Sequence, residues 1–276
     1  MKSAKVLLYI SLIVFSFSSC SKFAKVEKSK DDSYKIAKAD EYFAKKKYRF
    51  AQQLYEALFP VVKGTPKFED VYYKYAYSFY HQGLYRDAEN MFKGYLEVFP
   101  NSPRAEEVDY MRAYSFYKQS PKLELEQVNT VKAMNMMQTF INTHPGSERN
   151  KEATEIIDKS RQKLEQKEYR SAHLYYDLEK YRASAIAFET MLNKYPESAS
   201  GEDYKLMVVK SYYRFAKKSI LEKQQERFER VITEYQDFLD RYPESKKLKE
   251  AEEYVNLSKN QIKEIQNEQI TSSAKR

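Results

Sequence analysis

The sequence of 276 residues contains no tryptophan, five glycines and a single cysteine. A lone cysteine cannot close a disulfide within the chain, so no disulfide framework is expected. Five scattered glycines are too few for loops that cradle phosphates, and no G-x-G-x-x-G, Walker or G-x-S-x-G string occurs. The three histidines have no spacing that converges on a metal ion. We therefore expect no catalytic residue, no metal site and no cofactor, and the protein is not expected to be an enzyme.

The formal net charge of +8 is a small difference between 48 Lys and Arg residues and 40 Asp and Glu residues. The two signs are interspersed, which argues against the concentrated basic surface that nucleic-acid binding needs. Nucleic acid is therefore not an expected partner. Because 42% of the residues are hydrophobic and glycine is scarce, the composition indicates a helix-rich chain able to bury a substantial core.

The first twenty residues have the pattern of a targeting segment. Two lysines precede an uncharged apolar run from Val6 to Phe17. A helix of that length reaches roughly 18 Å, well short of the ~30 Å hydrocarbon core of a bilayer. The run therefore predicts a signal peptide over residues 1–19 and not a membrane-spanning helix.

Two small residues, Ser18 and Ser19, stand directly before Cys20. The arrangement resembles a lipobox, the site at which bacterial lipoprotein precursors are diacylated on the cysteine sulfur and cleaved before it. This resemblance implies lipid attachment at Cys20, with residues 20–32 as a lipidated tether that anchors the chain without spanning the bilayer. Ser21, in the place where Asp marks inner-membrane retention in many bacteria, implies the outer membrane. An ordinary secretory signal that contains a cysteine is the alternative.

A pattern with a period of about 45 residues repeats four times after this segment. In each copy an aromatic ring or imidazole precedes proline, and serine stands two positions after it. Apolar residues four and eight positions before the proline lie on one helix face, so each copy predicts an amphipathic helix that ends at proline. We expect the serine to cap the next helix. The four prolines are Pro100, Pro145, Pro196 and Pro243, and a fifth copy ends earlier, at residues 63–65.

Small residues 12 positions before most of the stops, and alanines 24 positions before three of them, complete a pattern that resembles the tetratricopeptide repeat. The fold class expected from it is all-α, a tetratricopeptide-like superhelix of about five helix pairs over residues 33–258, with a concave face. The N-terminal half covers about residues 33–145 and the C-terminal half about residues 146–258. Residues 259–276 are polar, and we expect a fraying helix end followed by a disordered tail.

Tyrosines recur at the positions where the first helix of each pair would face the hollow. A phenol offers a large apolar area, a hydroxyl and only two rotatable angles, which suits contact with another chain. Core packing is the competing interpretation for any one tyrosine, and Phe79, Phe116 and Tyr175 on the opposite flank are expected in the core. The inner-face positions are Tyr73, Tyr77, Tyr80, Tyr110, Tyr114 and Tyr117 in the N-terminal half, and Tyr169, His173, Tyr176, Leu206, Lys210 and Tyr213 in the C-terminal half.

Three strings resemble the BamD family, the lipoprotein of the outer-membrane β-barrel assembly machine, most closely in its Bacteroidetes-type version. They are YAYSFY at Tyr75–Tyr80, FPNSPRAEE at Phe99–Glu107, and Ser120-Pro121 followed by LEQVNT at Leu125–Thr130. The resemblance implies a periplasm-facing adaptor on the outer membrane. Its N-terminal tyrosines would bind unfolded outer-membrane proteins, and its C-terminal repeats would dock on a BamA-type barrel through Tyr169, His173, Tyr176, Lys210, Tyr213 and Arg214.

Two other functions fit a lipidated helical-repeat protein. One is a cell-division or peptidoglycan-linked repeat lipoprotein. The other is a glycan-binding lipoprotein of the SusD type, which normally is about twice as long and stacks sugars on tryptophan. Because this chain has no tryptophan, the second is the weaker alternative.

Overall fold

The computed structural model describes residues 23–274, with side chains described up to residue 271. The predicted signal peptide and Cys20 lie outside the described residues. All regular structure in the described part is helical, which confirms the all-α helical-repeat prediction. After a helical turn at residues 23–27, the helices are α1 (Asp32–Ala44), α2 (Tyr48–Val62), α3 (Phe68–His81), α4 (Tyr85–Val98), α5 (Ala105–Lys118), α6 (Val128–Thr143), α7 (Asn150–Asp177), α8 (Tyr181–Lys194), α9 (Gly201–Lys217), α10 (Leu221–Arg241) and α11 (Leu248–Ala274).

The chain divides into two compact units, of which unit 1 ends at Arg161 and unit 2 begins at Gln162, within α7. In unit 1 each helix from α1 to α6 packs against the next. The positions that the repeat pattern marks as small or apolar form its core, where Ala88, Phe92 and Met137 are fully buried. Small residues let neighbouring helices approach closely, while the rings and the thioether fill the space between them.

Unit 2 repeats this construction in α8 to α11, where successive helices again pack together. Ser184, Phe188 and Val231, at the corresponding positions, are fully buried. One apolar cluster forms around Phe188, and another around Phe228 and Phe238. Within the described residues, no helix is both long and apolar enough to cross a membrane.

The repeated serine does not cap the next helix in the way that the sequence predicts. The Ser102 hydroxyl oxygen accepts a hydrogen bond from the Arg104 N–H at 3.0 Å, one residue before α5 begins, and donates to the Glu69 carboxylate in α3 at 2.7 Å. The serine thus closes the turn and ties it to the first helix of the preceding pair. The same latch, a serine hydroxyl bonded to a carboxylate, recurs as Ser147–Glu106, Ser198–Glu165 and Ser245–Glu202.

The structure also differs from the sequence-based expectation at both ends of the repeat region. Residues 23–27 are helical, and Phe23 and Val26 are buried, so this part of the predicted tether is packed against the fold. At the other end α11 continues to Ala274, and Ile265 is only 5% exposed within the core of unit 2. Ile262, one turn earlier, packs against the same core, and such tertiary packing stabilises a helix that the polar composition alone does not reveal.

Candidate functional site

The six tyrosines predicted on the inner face of unit 1 form one continuous series of ring contacts. Tyr73 and Tyr77 have ring centroids 4.6 Å apart, and Tyr77 and Tyr80 lie 6.3 Å apart, because residues three and four apart share a helix face. The series crosses from α3 to α5 between Tyr80 and Tyr114, at 6.3 Å. It continues within α5 from Tyr114 to Tyr110 at 5.7 Å and to Tyr117 at 5.8 Å. We call these six residues the aromatic surface of unit 1.

The members of this surface differ in their accessibility. Tyr77 is 9% exposed and Tyr110 is 2% exposed, and both belong to the buried core of unit 1. Tyr73, Tyr80, Tyr114 and Tyr117 are half-buried. The prediction that all six are available to a partner is therefore wrong for Tyr77 and Tyr110. Their buried rings contact those of Tyr73, Tyr80 and Tyr114 instead.

A carboxylate holds two of the phenols in place. The hydroxyls of Tyr73 and Tyr77 both donate to Glu107 Oε1, at 2.9 and 2.5 Å. The Arg104 guanidinium lies 4.4 Å from the centroid of the Tyr73 ring, a cation–π contact. Burial, reinforced by Glu107, raises the pKa of Tyr77, and burial raises the pKa of Tyr80 to about 12. These phenols are therefore neutral hydrogen-bond donors at physiological pH.

Neighbouring aromatic residues that the sequence analysis did not single out extend this surface. The His81 and Tyr48 rings stack with their centroids 4.3 Å apart, and Tyr85 meets Tyr80 edge-on at 5.4 Å. The Lys118 ammonium lies 5.7 Å from the Tyr85 ring and 5.9 Å from the Tyr114 ring. Burial lowers the pKa of His81, so its imidazole is neutral at pH 7. Tyr48 and Tyr85 each stand at the first residue of the second helix of a pair. This shared position in the repeat is the sequence signal that could have identified them.

The predicted docking residues of unit 2 do not all lie together. Tyr169, His173 and Tyr176 form a ring series on α7, with centroid distances of 5.9 and 6.3 Å. Tyr213 is buried, and so is Leu206, the other inner-face position on α9. The exposed Arg214 guanidinium forms a hydrogen bond with Tyr176 and therefore lies beside this series. The same hydrogen bond raises the pKa of Arg214.

Lys210, the last of the predicted docking residues, is occupied within unit 2. Its ammonium pairs with Glu250 at 2.8 Å and lies 6.0 Å from the Tyr254 ring. Tyr175, which the sequence analysis assigned to the core, is 42% exposed, so that assignment is wrong. Phe79 packs against the core of unit 1 as expected.

Unit 2 also contains an ion cluster around a buried lysine, which no sequence pattern indicated. Lys205 is 2% exposed, and its ammonium lies 2.5 Å from carboxylate oxygens of both Glu234 and Asp237. Arg230 and Arg241 pair with the same two carboxylates. Arg230 also pairs with a third carboxylate, Glu189, and the cluster borders an open cavity of about 410 Å³. In the part of the chain with described side chains, no group of three His, Cys, Asp or Glu residues is placed to hold a metal ion.

Comparison with known proteins identifies the family. A family model, YfiO, described as an outer membrane lipoprotein, matches residues 27–227. No curated protein matches the chain significantly. Among solved structures, the chain is similar to the TPR2AB-domain:pHSP90-complex of yeast Sti1, with 12% identity, a TM-score of 0.38, and coverage of 83% of this chain and 98% of that chain. Because the family model spans more than half of the sequence, the protein belongs to the YfiO family of outer membrane lipoproteins, the BamD-like family that the sequence indicated.

Proposed function

We propose that the protein is a non-enzymatic adaptor of the outer-membrane β-barrel assembly machine, anchored through acylated Cys20 and facing the periplasm. It binds unfolded outer-membrane proteins with unit 1 and docks on a BamA-type barrel with unit 2. The continuous series of tyrosine rings in unit 1 is the observation that carries the proposal, and membership of the YfiO family supports it.

Substrate contact is assigned to the accessible members of the aromatic surface, Tyr73, Tyr80, Tyr114 and Tyr117. Half-buried rings contribute apolar contact area, while their hydroxyls can bond the peptide groups of an extended chain. Rings that already pack against buried neighbours lose little conformational entropy when a partner binds. This favours affinity even without a deep pocket. The interaction needs no covalent step. The bound substrate segment dissociates when its apolar side chains become buried in the assembled barrel.

Docking on the barrel is assigned to unit 2, through Tyr169, His173 and Tyr176 on α7 and Arg214 on α9. Three aromatic rings beside an exposed guanidinium combine the residue types that most often dominate protein interfaces. Lys210 and Tyr213 support this surface from within unit 2, since the first is ion-paired and the second is buried.

Site-specific crosslinking tests the substrate surface. We expect Tyr80→Ala combined with Tyr114→Ala to weaken crosslinking of unit 1 to nascent barrel proteins severalfold, because each ring anchors a large share of the contact. Tyr34→Ala is the matched control, since Tyr34 is 40% exposed in the same unit and contributes to none of the ring contacts of the aromatic surface. Unchanged crosslinking in the double variant, with the helical content retained, would contradict the assignment.

Co-purification from detergent-solubilised membranes separates the alternatives. The proposal predicts recovery of a BamA-type barrel with the intact protein. Recovery of envelope-constriction or peptidoglycan-associated proteins in its place would favour the cell-division alternative, and specific retention on a glycan matrix would favour the SusD-type one.

A further inference from the structure

The described chain begins with a segment that is fixed on the first helix pair. The Phe23 ring centroid lies 4.7 Å from that of Phe50 in α2 and 5.9 Å from that of Tyr42 in α1. Val26, one turn later, is 4% exposed. Residues 23–27 are therefore held against α1 and α2 and do not act as a loose spacer.

The turn beside this segment is made entirely of lysine. α1 ends at Ala44 and α2 begins at Tyr48, which leaves Lys45, Lys46 and Lys47, all exposed, between them. Tyr42 and Phe50, the two rings that contact Phe23, stand on either side of this turn in the sequence. The point at which the described chain begins is therefore adjacent to the α1–α2 turn.

The cations at this end of unit 1 are mostly uncompensated. Lys45 pairs with Glu41, and Glu27 is the exposed acid of the first segment. Five other exposed cations, on residues 23–28 and 46–49, have no carboxylate within 4.0 Å among the ion pairs of the described residues. They are Lys25, Lys28, Lys46, Lys47 and Arg49. We call these five residues the basic end of unit 1.

The anchor cannot be far from this basic end. Cys20 precedes Phe23 by three residues, and an extended chain reaches at most about 3.6 Å per residue, or roughly 11 Å in all. Acyl chains on Cys20 insert into the bilayer, so the sulfur lies at the membrane surface. Phe23, which packs beside the lysine turn, is thus kept at a distance from the membrane surface comparable to the Debye length of ~8 Å at physiological ionic strength, where attraction of nearby cations to anionic lipid remains effective.

We propose that the basic end of unit 1 contacts the membrane and that its lysines and arginine bind the phosphate groups of anionic lipid head groups. The inference rests on the proposed lipid anchor at Cys20. This contact would set which end of unit 1 faces the bilayer. It also brings Tyr48 and His81, at the edge of the aromatic surface and next to the same turn, close to the membrane where barrel proteins insert.

A position-specific quenching experiment on the lipidated full-length protein tests this surface. Acylation consumes the only native thiol, so an introduced cysteine takes a fluorophore at a single site. Ala44→Cys reports on the turn, while Val61→Cys, 51% exposed near the far end of α2 and about 20 Å along the helix, is the matched control position. In phosphatidylglycerol-containing vesicles with a head-group nitroxide, we expect strong quenching at residue 44 and little at residue 61.

Charge substitutions then separate lipid binding from simple proximity. We expect Lys46→Gln combined with Lys47→Gln, or vesicles of phosphatidylcholine alone, to lower quenching at residue 44 severalfold, with the remainder due to the nearby anchor. Unchanged quenching at residue 44 in the double variant would show proximity alone and overturn head-group binding. Lys63→Gln combined with Lys67→Gln removes two exposed lysines between α2 and α3 and should leave quenching unchanged.

The outcomes distinguish this inference from the proposed function. Flotation with the vesicles and the mass of acylated Cys20 establish the anchor first. With the anchor in place, equal quenching at the two positions overturns the membrane contact but leaves the adaptor role intact. A bare sulfur overturns the anchor and this inference together.

Discussion

At the scale of single residues, helical spacing decides which tyrosines can meet a partner. Tyr77 and Tyr80 are both on α3, yet the first is buried against the core with its hydroxyl bonded to Glu107, while the second is half-buried. Residues three or four apart share a helix face, but a spacing of three or four residues is not a whole turn. Their side chains therefore differ in direction by tens of degrees about the helix axis. That rotation separates a ring that supports the surface from a ring that forms it.

One close contact gives a residue-scale prediction. Gly94 in α4 faces the hydroxyl of the buried Tyr72, and a Cβ added at residue 94 would overlap that oxygen. We expect Gly94→Ala to lower the free energy of unfolding by about 1–3 kcal/mol, because the overpacking outweighs the better helix propensity of alanine. Urea denaturation measures the change.

A double-mutant cycle supplies the control for this prediction. In the Tyr72→Phe background the obstructing oxygen is gone, so Gly94→Ala should stabilise the protein by up to ~1 kcal/mol through helix propensity alone. Equal destabilisation in both backgrounds would mean that the Tyr72 hydroxyl is not the cause.

At the scale of elements, the turns between helix pairs are held by side chains that reach across the fold. Ser102, Ser147, Ser198 and Ser245 each bond a glutamate of an earlier helix, so proline ends one helix and the serine fixes the direction of the next. The loop between α5 and α6 is held by side-chain hydrogen bonds of its own. The buried Gln127 amide donates to the carbonyl oxygens of Lys122 and Leu125, at 2.8 Å each.

The latch at Glu69 predicts a dependence of stability on pH. Hydrogen bonds, first from Ser102 and then from Tyr95, lower the pKa of the Glu69 carboxyl below its usual 4.5. A depressed folded-state pKa contributes stability above pH 4.5 that is lost as the pH falls through the folded value. We expect Ser102→Ala to cost about 1 kcal/mol at pH 7 and to flatten the decline in unfolding free energy below pH 4.5.

Glu69→Gln provides the comparison for the latch. In that background the carboxylate is absent, so Ser102→Ala should have a smaller effect at pH 7 and none on the acid slope, as measured by urea denaturation at several pH values. An undiminished acid slope in Ser102→Ala alone would contradict a contribution of the latch.

At the scale of the whole molecule, the protein consists of two units with separate buried cores. Phe92 lies in the core of unit 1, and Phe238 in one of the clusters of unit 2. Repeat proteins gain stability mainly from contacts between neighbouring elements, so damage to one core should remain largely local.

Hydrogen exchange tests this division. We expect Phe92→Ala, which leaves a cavity costing about 3–5 kcal/mol, to reduce amide protection mainly in α3 to α6. Phe238→Ala should instead reduce protection mainly in α9 to α11. Loss of protection spread evenly over both units in either variant would show that the chain unfolds as one cooperative body.

The sequence by itself determined the helical class, the repeat, the buried small and aromatic positions, and the family. The family was indicated by the three strings that resemble it. The helical class, the repeat and the buried positions follow from local periodicity, since proline spacing and apolar residues at helical intervals set where helices end and which face is buried. Ala88, Phe92 and Phe188 are fully buried as the pattern predicts.

Only the tertiary structure decided how accessible each inner-face residue is and what holds it. The burial of Tyr110, the bond of Tyr77 to Glu107 and the packing of Phe23 beside the α1–α2 turn all depend on contacts between residues distant in sequence. Such contacts follow from the angle and separation at which helices pack, which a periodic pattern does not encode. For the same reason Lys45, Lys46 and Lys47 are only a short charge run in the sequence, while the fold makes them a turn beside the buried Phe23.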